Sequence, residues 1–349
     1  MKTKSTNLII GELESGKTRG IMFPEVKSLI KEEKNLFIID NKEEYYPRFK
    51  NELENNGYKV WLINLRNPLK SNTFNILEYP YSLYKNGNKD TAISLVTSIA
   101  ENICINKSSE SDMFWDNSAA NYLTSLILIL FEKGAENEIN FMSLGALINM
   151  LDDPLKIEKL KDYFKTLDVI NPIYRLGSPT IFAPIDTRGG ILSTLKFKIN
   201  SFFNREEILK TLSLKEFSIN KYNEKTAIFF EGKSEINAIA NILIGQLITI
   251  TKEQDRELSL ILDDFNSLPK ISEIKELIEY ASFNNLKSYF ITNCFEELID
   301  LYGKYTFNKI TNIVNINEID NLEIDNVMNK VEYPVKQDKN IKIIDINKI

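Results

Sequence analysis

The chain has 349 residues, 43% of them hydrophobic and 26% charged, with a net charge of -6. That suffices for one large domain or two ordinary ones with an ample core, and no metal or disulfide staple is required. Two distant cysteines, Cys104 and Cys294, and the absence of histidine exclude a disulfide framework, a zinc centre and His-based acid–base chemistry, while the acidic balance excludes a polycation.

In chain order, "NLII" from Asn7 reads as a strand. It runs into Gly11-x-x-x-x-Gly16-Lys17-Thr18, the spacing of a phosphate-binding loop, with a helix expected from about Lys17. Glycine at both ends lets successive N–H groups turn inward around a phosphate. Lys17 is then the cation for the β/γ-phosphates, the Thr18 hydroxyl a Mg²⁺ ligand, and the helix start adds its dipole. Glu12 and Glu14 are acidic neighbours of a polyanion site. They are expected to weaken binding without abolishing it, because such a loop binds through its backbone. No apolar run precedes the loop, so no signal peptide is expected.

"NLFIID" (Asn35–Asp40) is the second predicted strand and "KVWLINL" (Lys59–Leu65) the third, after a turn at Gly57. From about Asn88 to Asp186 the periodicity is helical: "AISLVTSIAENI", "DNSAANYLTSLILILFEKG", "FMSLGALINML" and "LKIEKLKDYFKTL" read as four helices. The longest apolar run, Leu123–Phe131, is far too short to span a membrane and reads as a buried helix. Strand character returns at "TAIFFE" (Thr226–Glu231), "LSLILDDF" (Leu258–Phe265), "KSYFITN" (Lys287–Asn293) and "TNIVNIN" (Thr311–Asn317). The expected fold is α/β, a mostly parallel central sheet with an inserted all-α domain. Residues 1–87 form the first part of a nucleotide-binding domain, 88–186 the insertion, and 187–349 the second part. The last dozen residues, "DKNIKIIDINKI", read as an edge strand or a docked tail.

Two acids end the strand "LSLIL". Asp263 is the candidate to hold Mg²⁺ through water, and Asp264 to polarise an attacking water. A helix-capping Asp after a strand is the bland alternative. Arg188, in "DTRGGILSTLKF", is read either as a surface residue at a helix start or as a group acting on a neighbouring subunit's γ-phosphate. "FKINSFFNR" sets Lys196, Lys198 and Arg205 among aromatics, as a DNA-facing surface or an amphipathic core helix would. Trp115 reads as a core anchor of the helical region.

With these motifs in order, the sequence resembles the type IV coupling ATPases of conjugation and secretion, the TraG/TraD type. The resemblance rests on "GKTRG", on "IIDNKEEYY" with Asp40, Lys42 and Glu44, and on "SNTFNIL" (Ser71–Leu77). It continues through "MFWDNSAANYL", "LDDF" and "ITNCFEELIDLYG", and covers about Asn7 to Val314. It implies a RecA-like P-loop core that binds ATP and Mg²⁺ through Gly11, Ser15, Gly16, Lys17, Thr18 and Arg19. Thr18 and Asp263 serve the metal, and Lys17, Asp264, Asn293 and Arg188 serve catalysis. It further implies a homo-hexameric ring coupling ATP hydrolysis to movement of DNA, single-stranded or relaxase-bound, towards a secretion channel.

Departures from the family pattern are specific. Asn41 and Glu43 replace Pro and Gly after Asp40. Asp264 stands for Glu and Asn293 for Gln, each losing about 1.5 Å of reach, which matters for placing water. Ser282 stands for the usual Arg. Relatives usually carry N-terminal membrane helices, so the expectation is a cytoplasmic chain with no span of its own, either recruited to the membrane by a separate anchor protein or a soluble paralogue. The shortened side chains keep open a nucleotide-binding scaffold or regulator with weak or no hydrolysis. A different ring-shaped DNA pump of the same superfamily is the remaining alternative.

Overall fold

The seven short apolar runs that read as strands in the sequence form strands. The computed structural model describes residues 6–12, 14–105, 113–221, 225–232, 238–254, 257–268, 271, 274, 277–278, 286–303, 306 and 312–315. Within these, the strands are β1 (Thr6–Ile10), β2 (Asn35–Ile39), β3 (Lys59–Asn64), β4 (Thr226–Glu231), β5 (Leu258–Leu262), β6 (Leu286–Thr292) and β7 (Asn312–Asn315). They form one sheet in the order β3-β4-β2-β5-β6-β1-β7, and every pairing is parallel. The parallel arrangement explains the unbroken apolar runs: β2, β4 and β5 are buried at every position, as strands covered on both faces must be.

The chain divides into two compact units. The sheet unit comprises residues 1–66, 222–237 and 248–349, and the helical unit 67–221 and 238–247. In the sheet unit, helices α1 (Phe23–Lys31) and α2 (Tyr45–Asn55) cover one face. Val26, Leu29 and Ile30 of α1 and Tyr45, Phe49 and Leu53 of α2 pack with Ile38, Phe229, Ile261 and Ile291. The helix expected from Lys17 opens with a wide π-helical turn over Lys17–Met22 before α1 begins. The registers Ile10↔Thr292, Phe290↔Leu262, Leu262↔Ile39 and Ile39↔Phe230 align the ends of five strands. The residues just beyond them, Gly11, Asn293, Asp263, Asp40 and Glu231 with Gly232, therefore leave from one edge of the sheet. In open parallel sheets that edge is where ligands bind.

The helical unit holds α3 (Glu78–Lys85), α4 (Lys89–Cys104), α5 (Met113–Lys133), α6 (Phe141–Met150), α7 (Pro154–Lys165), α8 (Pro172–Ile181), α9 (Ile185–Phe203) and α10 (Glu206–Thr211). The described elements of 88–186 are all helical, but the unit reaches past the expected span on both sides. The reason is long-range hydrogen bonding: Phe74 N–H donates to Thr211 O at 2.7 Å, Phe217 N–H to Thr73 O at 2.9 Å, and Asn75 Nδ2 to Ile139 O at 2.5 Å. Helix α5 is apolar on every side and buried from Ala119 to Phe131 but for Asn121, as the central helix of a bundle must be. It packs against α4, α8 and α9. Starts follow the capping rules: Asn140, Asp153 and Asn171 accept the N–H groups of Ser143, Leu155 and Ile173, with Pro154 and Pro172 in the first turn of α7 and α8. A further helix, α11 (Ala238–Gln254), begins in this unit and ends in the sheet unit. In the sheet unit, α12 (Phe295–Tyr302) ends at Gly303 in a positive-φ conformation, the Tyr-Gly position of the sequence pattern.

Several expectations meet a different structure. Helix α8 is absent from the sequence reading because Gly177 and Pro179 lie inside it. Trp115 is half-buried, laid against Gly190, rather than a core anchor: a Cβ on Gly190 would come within 2.6 Å of its ring. Lys198 pairs with buried Asp116 at 2.8 Å, and Lys196 with Asp152, while Ile199 and Phe202 are buried; α9 is an amphipathic helix of the bundle. Ser282 and the tail 338–349 lie outside the described residues.

Gly177 is where α8 closes on α5. A Cβ there would sit 2.4 Å from Ser125 Oγ and 2.5 Å from the fully buried Phe164 ring. Gly177→Ala is expected to lower the unfolding free energy by about 1–3 kcal/mol, read from urea unfolding followed by circular dichroism.

Candidate functional site

The loop after β1 takes its shape from two left-handed residues, Gly16 at φ 87° and Glu14 at φ 64°. Gly16 lets the chain turn into the helix, and Gly20 N–H closes the turn on Gly16 O at 2.7 Å. Lys17 is 6% exposed. Its ammonium folds back over the loop, donating to Gly11 O, to Glu12 O at 2.7 Å and to Asn293 Oδ1 at 2.8 Å. Burial lowers its pKa, and the charge of Lys42 lowers it further, against the opposing pull of Asp263 and Asp264. Asn293, despite its shorter side chain, reaches Lys17.

Asp263, 5% exposed, follows β5. Its Oδ2 accepts from Thr18 Oγ1 at 2.8 Å and from the Tyr45 hydroxyl at 2.9 Å, and its Oδ1 accepts from Asp264 N–H at 2.8 Å. Asp264 sits at φ 55°, ψ 46°, a left-handed conformation that Asp tolerates better than most residues. Behind this pair stands Asp40, 1% exposed, whose carboxylate accepts the N–H groups of Glu44, Tyr45 and Tyr46 at 2.8–2.9 Å. Burial raises the Asp40 pKa, the three N–H donors oppose that, and the Asp263 charge adds to it. Glu43, where the family pattern has Gly, is left-handed at φ 56°. Asn41, where it has Pro, accepts from Gly232 N–H at 3.3 Å.

The loop thus gathers Gly11, Ser15, Gly16, Lys17 and Thr18 with Asp263, Asp264 and Asn293 in one unit. Arg19 is exposed and paired with Glu44 at 3.0 Å. Arg188 belongs to the helical unit, where its Nη1 donates to the carbonyls of Ile181 and Ala183 at 3.3 Å. The donor set fits a Mg-nucleotide on an observation independent of spacing: Ser15 Oγ is buried in the loop with no hydrogen-bond partner among the described residues. A phosphate oxygen would satisfy it. One hydroxyl and one carboxylate, Thr18 and Asp263, also suit Mg²⁺, which takes few protein ligands and keeps water and phosphate oxygens.

The sequence reading gave no role to Tyr45, Asn266 or Glu231. Asn266 Nδ2 donates to Cys294 O at 3.2 Å and also to Glu297, tying the loop after β5 to the one after β6. Glu231 is an acid at the end of an apolar strand, the same signal that marked Asp263. It is 3% exposed and accepts from Asn64 Nδ2, while Arg66 Nε donates to Gly232 O at 2.7 Å.

A parallel sheet with a glycine loop at the end of β1 and an acid at the end of β5 defines the chain as an α/β protein of the P-loop type. The sequence profile described as "Type IV secretory system Conjugative DNA transfer" matches residues 5–321. The chain belongs to that family. Its structure is similar to the bacterial conjugative coupling protein TrwB in an unbound monoclinic form, at TM-score 0.56 and 13% identity over 87% of this chain and 66% of that one. TrwB in complex with the non-hydrolysable ATP analogue ADPNP gives TM-score 0.57 and 13% identity, over 87% and 67% of the two chains. VirB4 of Thermoanaerobacter pseudethanolicus gives 0.52 and 11%, over 92% and 83%. The chain spans about two thirds of the length of the TrwB structures. No curated protein matches by sequence. Among the described residues, no helix is long and apolar enough to cross a membrane.

Glu231 yields a pH prediction. Burial and the charges of Asp40 and Glu43 push its pKa from 4.5 up to about 7, against Arg66 and the Asn64 hydrogen bond. A carboxyl whose folded pKa is raised gives full stability below pH 4.5 and loses it as pH climbs to about 7. Glu231→Gln keeps an acceptor for Asn64 and carries no charge. At pH 8 it is expected to be more stable than the wild type by up to about 3 kcal/mol, and at pH 4 about equal to it, by urea unfolding.

Proposed function

We propose that this chain binds ATP with Mg²⁺ at the loop Gly11–Thr18 and couples its hydrolysis to transfer of DNA, or a DNA–protein complex, to a type IV secretion channel. The observation that carries the reading is the convergence of Lys17 on Asn293 and of Thr18 on Asp263, contacts spanning 276 and 245 residues of sequence. Family membership supports the transfer role. Ligand complexes of TrwB, with ADPNP and with ADP and Mg²⁺, support the nucleotide and the metal.

ATP with Mg²⁺, when bound, supplies the phosphoanhydride bond and the cation that offsets its charge. Lys17 exchanges the carbonyls of Gly11 and Glu12 for phosphate oxygens. Backbone N–H groups of the loop and Ser15 Oγ would orient the phosphates, while Thr18 and Asp263 would hold the metal. Asp264 takes up the proton of the attacking water, and Asn293 reports the phosphate state to the loop before α12. Arg188 enters through a neighbouring subunit of a homo-hexameric ring, where it would have to give up the carbonyls of Ile181 and Ala183. In this reading the chain is cytoplasmic and an anchor or channel protein recruits it to the membrane.

One observation favours a second reading, a nucleotide-binding regulator with weak or no hydrolysis. Asp264 combines a short carboxylate with a left-handed backbone. A misplacement near 1 Å can cost on the order of a hundredfold in rate.

By titration calorimetry, Lys17→Ala is expected to lose ATP affinity by on the order of a hundredfold, the scale of a charge-assisted contact to phosphate. Equal affinity in both proteins would remove the loop from the site. Steady-state ATPase activity separates the two functions. A transfer motor shows turnover that rises with DNA, slower than ~1–100 s⁻¹, and a further gain on Asp264→Glu at unchanged ATP affinity. A regulator shows none until that carboxylate is lengthened.

A further inference from the structure

Asp263 is held from a direction that phosphate-loop chemistry does not require. Thr18 reaches it from the loop, and a Thr hydroxyl can give an oxygen lone pair to a cation while still donating its proton to the carboxylate. The Tyr45 hydroxyl also donates to Asp263 Oδ2, at 2.9 Å. The Tyr45 ring is 1% exposed, and Phe23 and Phe49 fix it with centroids at 5.3 Å and 6.5 Å. Its backbone N–H donates to Asp40 Oδ2 at 2.9 Å, so the first turn of α2 is pinned as well. A buried carboxylate oxygen that loses one of its donors is free to rotate or to take up water instead.

We propose that Tyr45 is a positioning residue for the magnesium side of the site: its hydroxyl sets Asp263 Oδ2 for a hydrated divalent cation, and Asp40 sets Tyr45. The inference rests on the nucleotide reading given above. It gives the segment after β2 a task at the metal, through the side chain that follows Glu44.

The test is Tyr45→Phe, which keeps the ring and removes only the hydroxyl. A fluorescent non-hydrolysable ATP analogue is titrated into the full chain in EDTA and again in Mg²⁺. Affinity in EDTA is expected to stay within about twofold of the wild type, and the gain on adding Mg²⁺ to shrink by about tenfold, the scale of one hydrogen bond to a charged group. A merely structural role would lower both affinities together with the melting temperature. An unchanged Mg²⁺ gain in Tyr45→Phe, beside a normal gain in the wild type, overturns the positioning role alone. A wild type with no Mg²⁺ gain overturns the nucleotide reading and this role with it. If Tyr45→Phe does not fold, Asp40→Asn carries the test, since it loosens the α2 turn and leaves the hydroxyl in place. It is expected to lose a smaller part of the same gain, and no loss overturns the proposal.

Discussion

The hydrogen bond between Thr18 and Asp263 joins the two ends of the candidate site. It links the start of the helix after β1 to the loop after β5, and it forms only because parallel register brings those strand ends to one edge. Buried carboxylates are costly unless donors surround them. Asp263 and Asp40 are both nearly fully buried, and each is met by donors: a hydroxyl, a phenol and an N–H for one, three N–H groups for the other. Lys17, the buried cation of the loop, spends its donors on carbonyls and on Asn293. The resulting local balance is acidic, the balance that a divalent cation corrects and a bare polyanion does not. Glu12 and Glu14, both exposed, add negative charge beside the deeper acids Asp263 and Asp40.

Backbone strain is concentrated at the same edge. Among the described residues, five non-glycine positions have positive φ, and three of them, Glu14, Glu43 and Asp264, lie in loops leaving β1, β2 and β5. Each costs on the order of 1–2 kcal/mol relative to glycine or a relaxed turn. The neighbouring contacts hold them: Glu43 N–H donates to Asp40 O at 3.0 Å, and Asp264 N–H to the Asp263 side chain. A left-handed φ of 56° at Glu43 is a conformation that glycine would adopt without strain.

The seven described strands were readable because each carries a short apolar run, unbroken in the fully buried β2, β4 and β5, and that pattern is local. The loop residues and Asp263 were readable for the same reason, each standing at the end of such a run. What could not be read depends on distant partners. The helical unit begins at Asn67 because Phe74 and Asn75 bond to residues far along the chain. Helix α8 exists because Gly177 lets it lie against α5, a packing that overrides the poor helix propensity of Gly and Pro. Tyr45 resembles any aromatic on a helix until the sheet brings Asp263 to its hydroxyl. Lys198 looked available to DNA until Asp116, eighty-two residues earlier, claimed its ammonium.

The strand order has a consequence for synthesis. None of β1, β2 and β3 pairs with another of the three: β2 lies between β4 and β5, β3 borders β4, and β1 lies between β6 and β7. A chain emerging from the ribosome therefore makes its first three strands with no sheet for them to join. The helical stretch from Asn67 to Lys221 follows, and its unit is complete only once residues 238–247 have been made after β4. Only after β4 and β5 appear can β2 acquire neighbours, and β1 waits longer still, for β6. The apolar stretches of the N-terminal segment stay unpaired through most of translation, in a topology of high contact order that folds slowly and leaves sticky strands in search of partners. The phosphate loop, sequence-first among the functional elements, is among the last to take its final form.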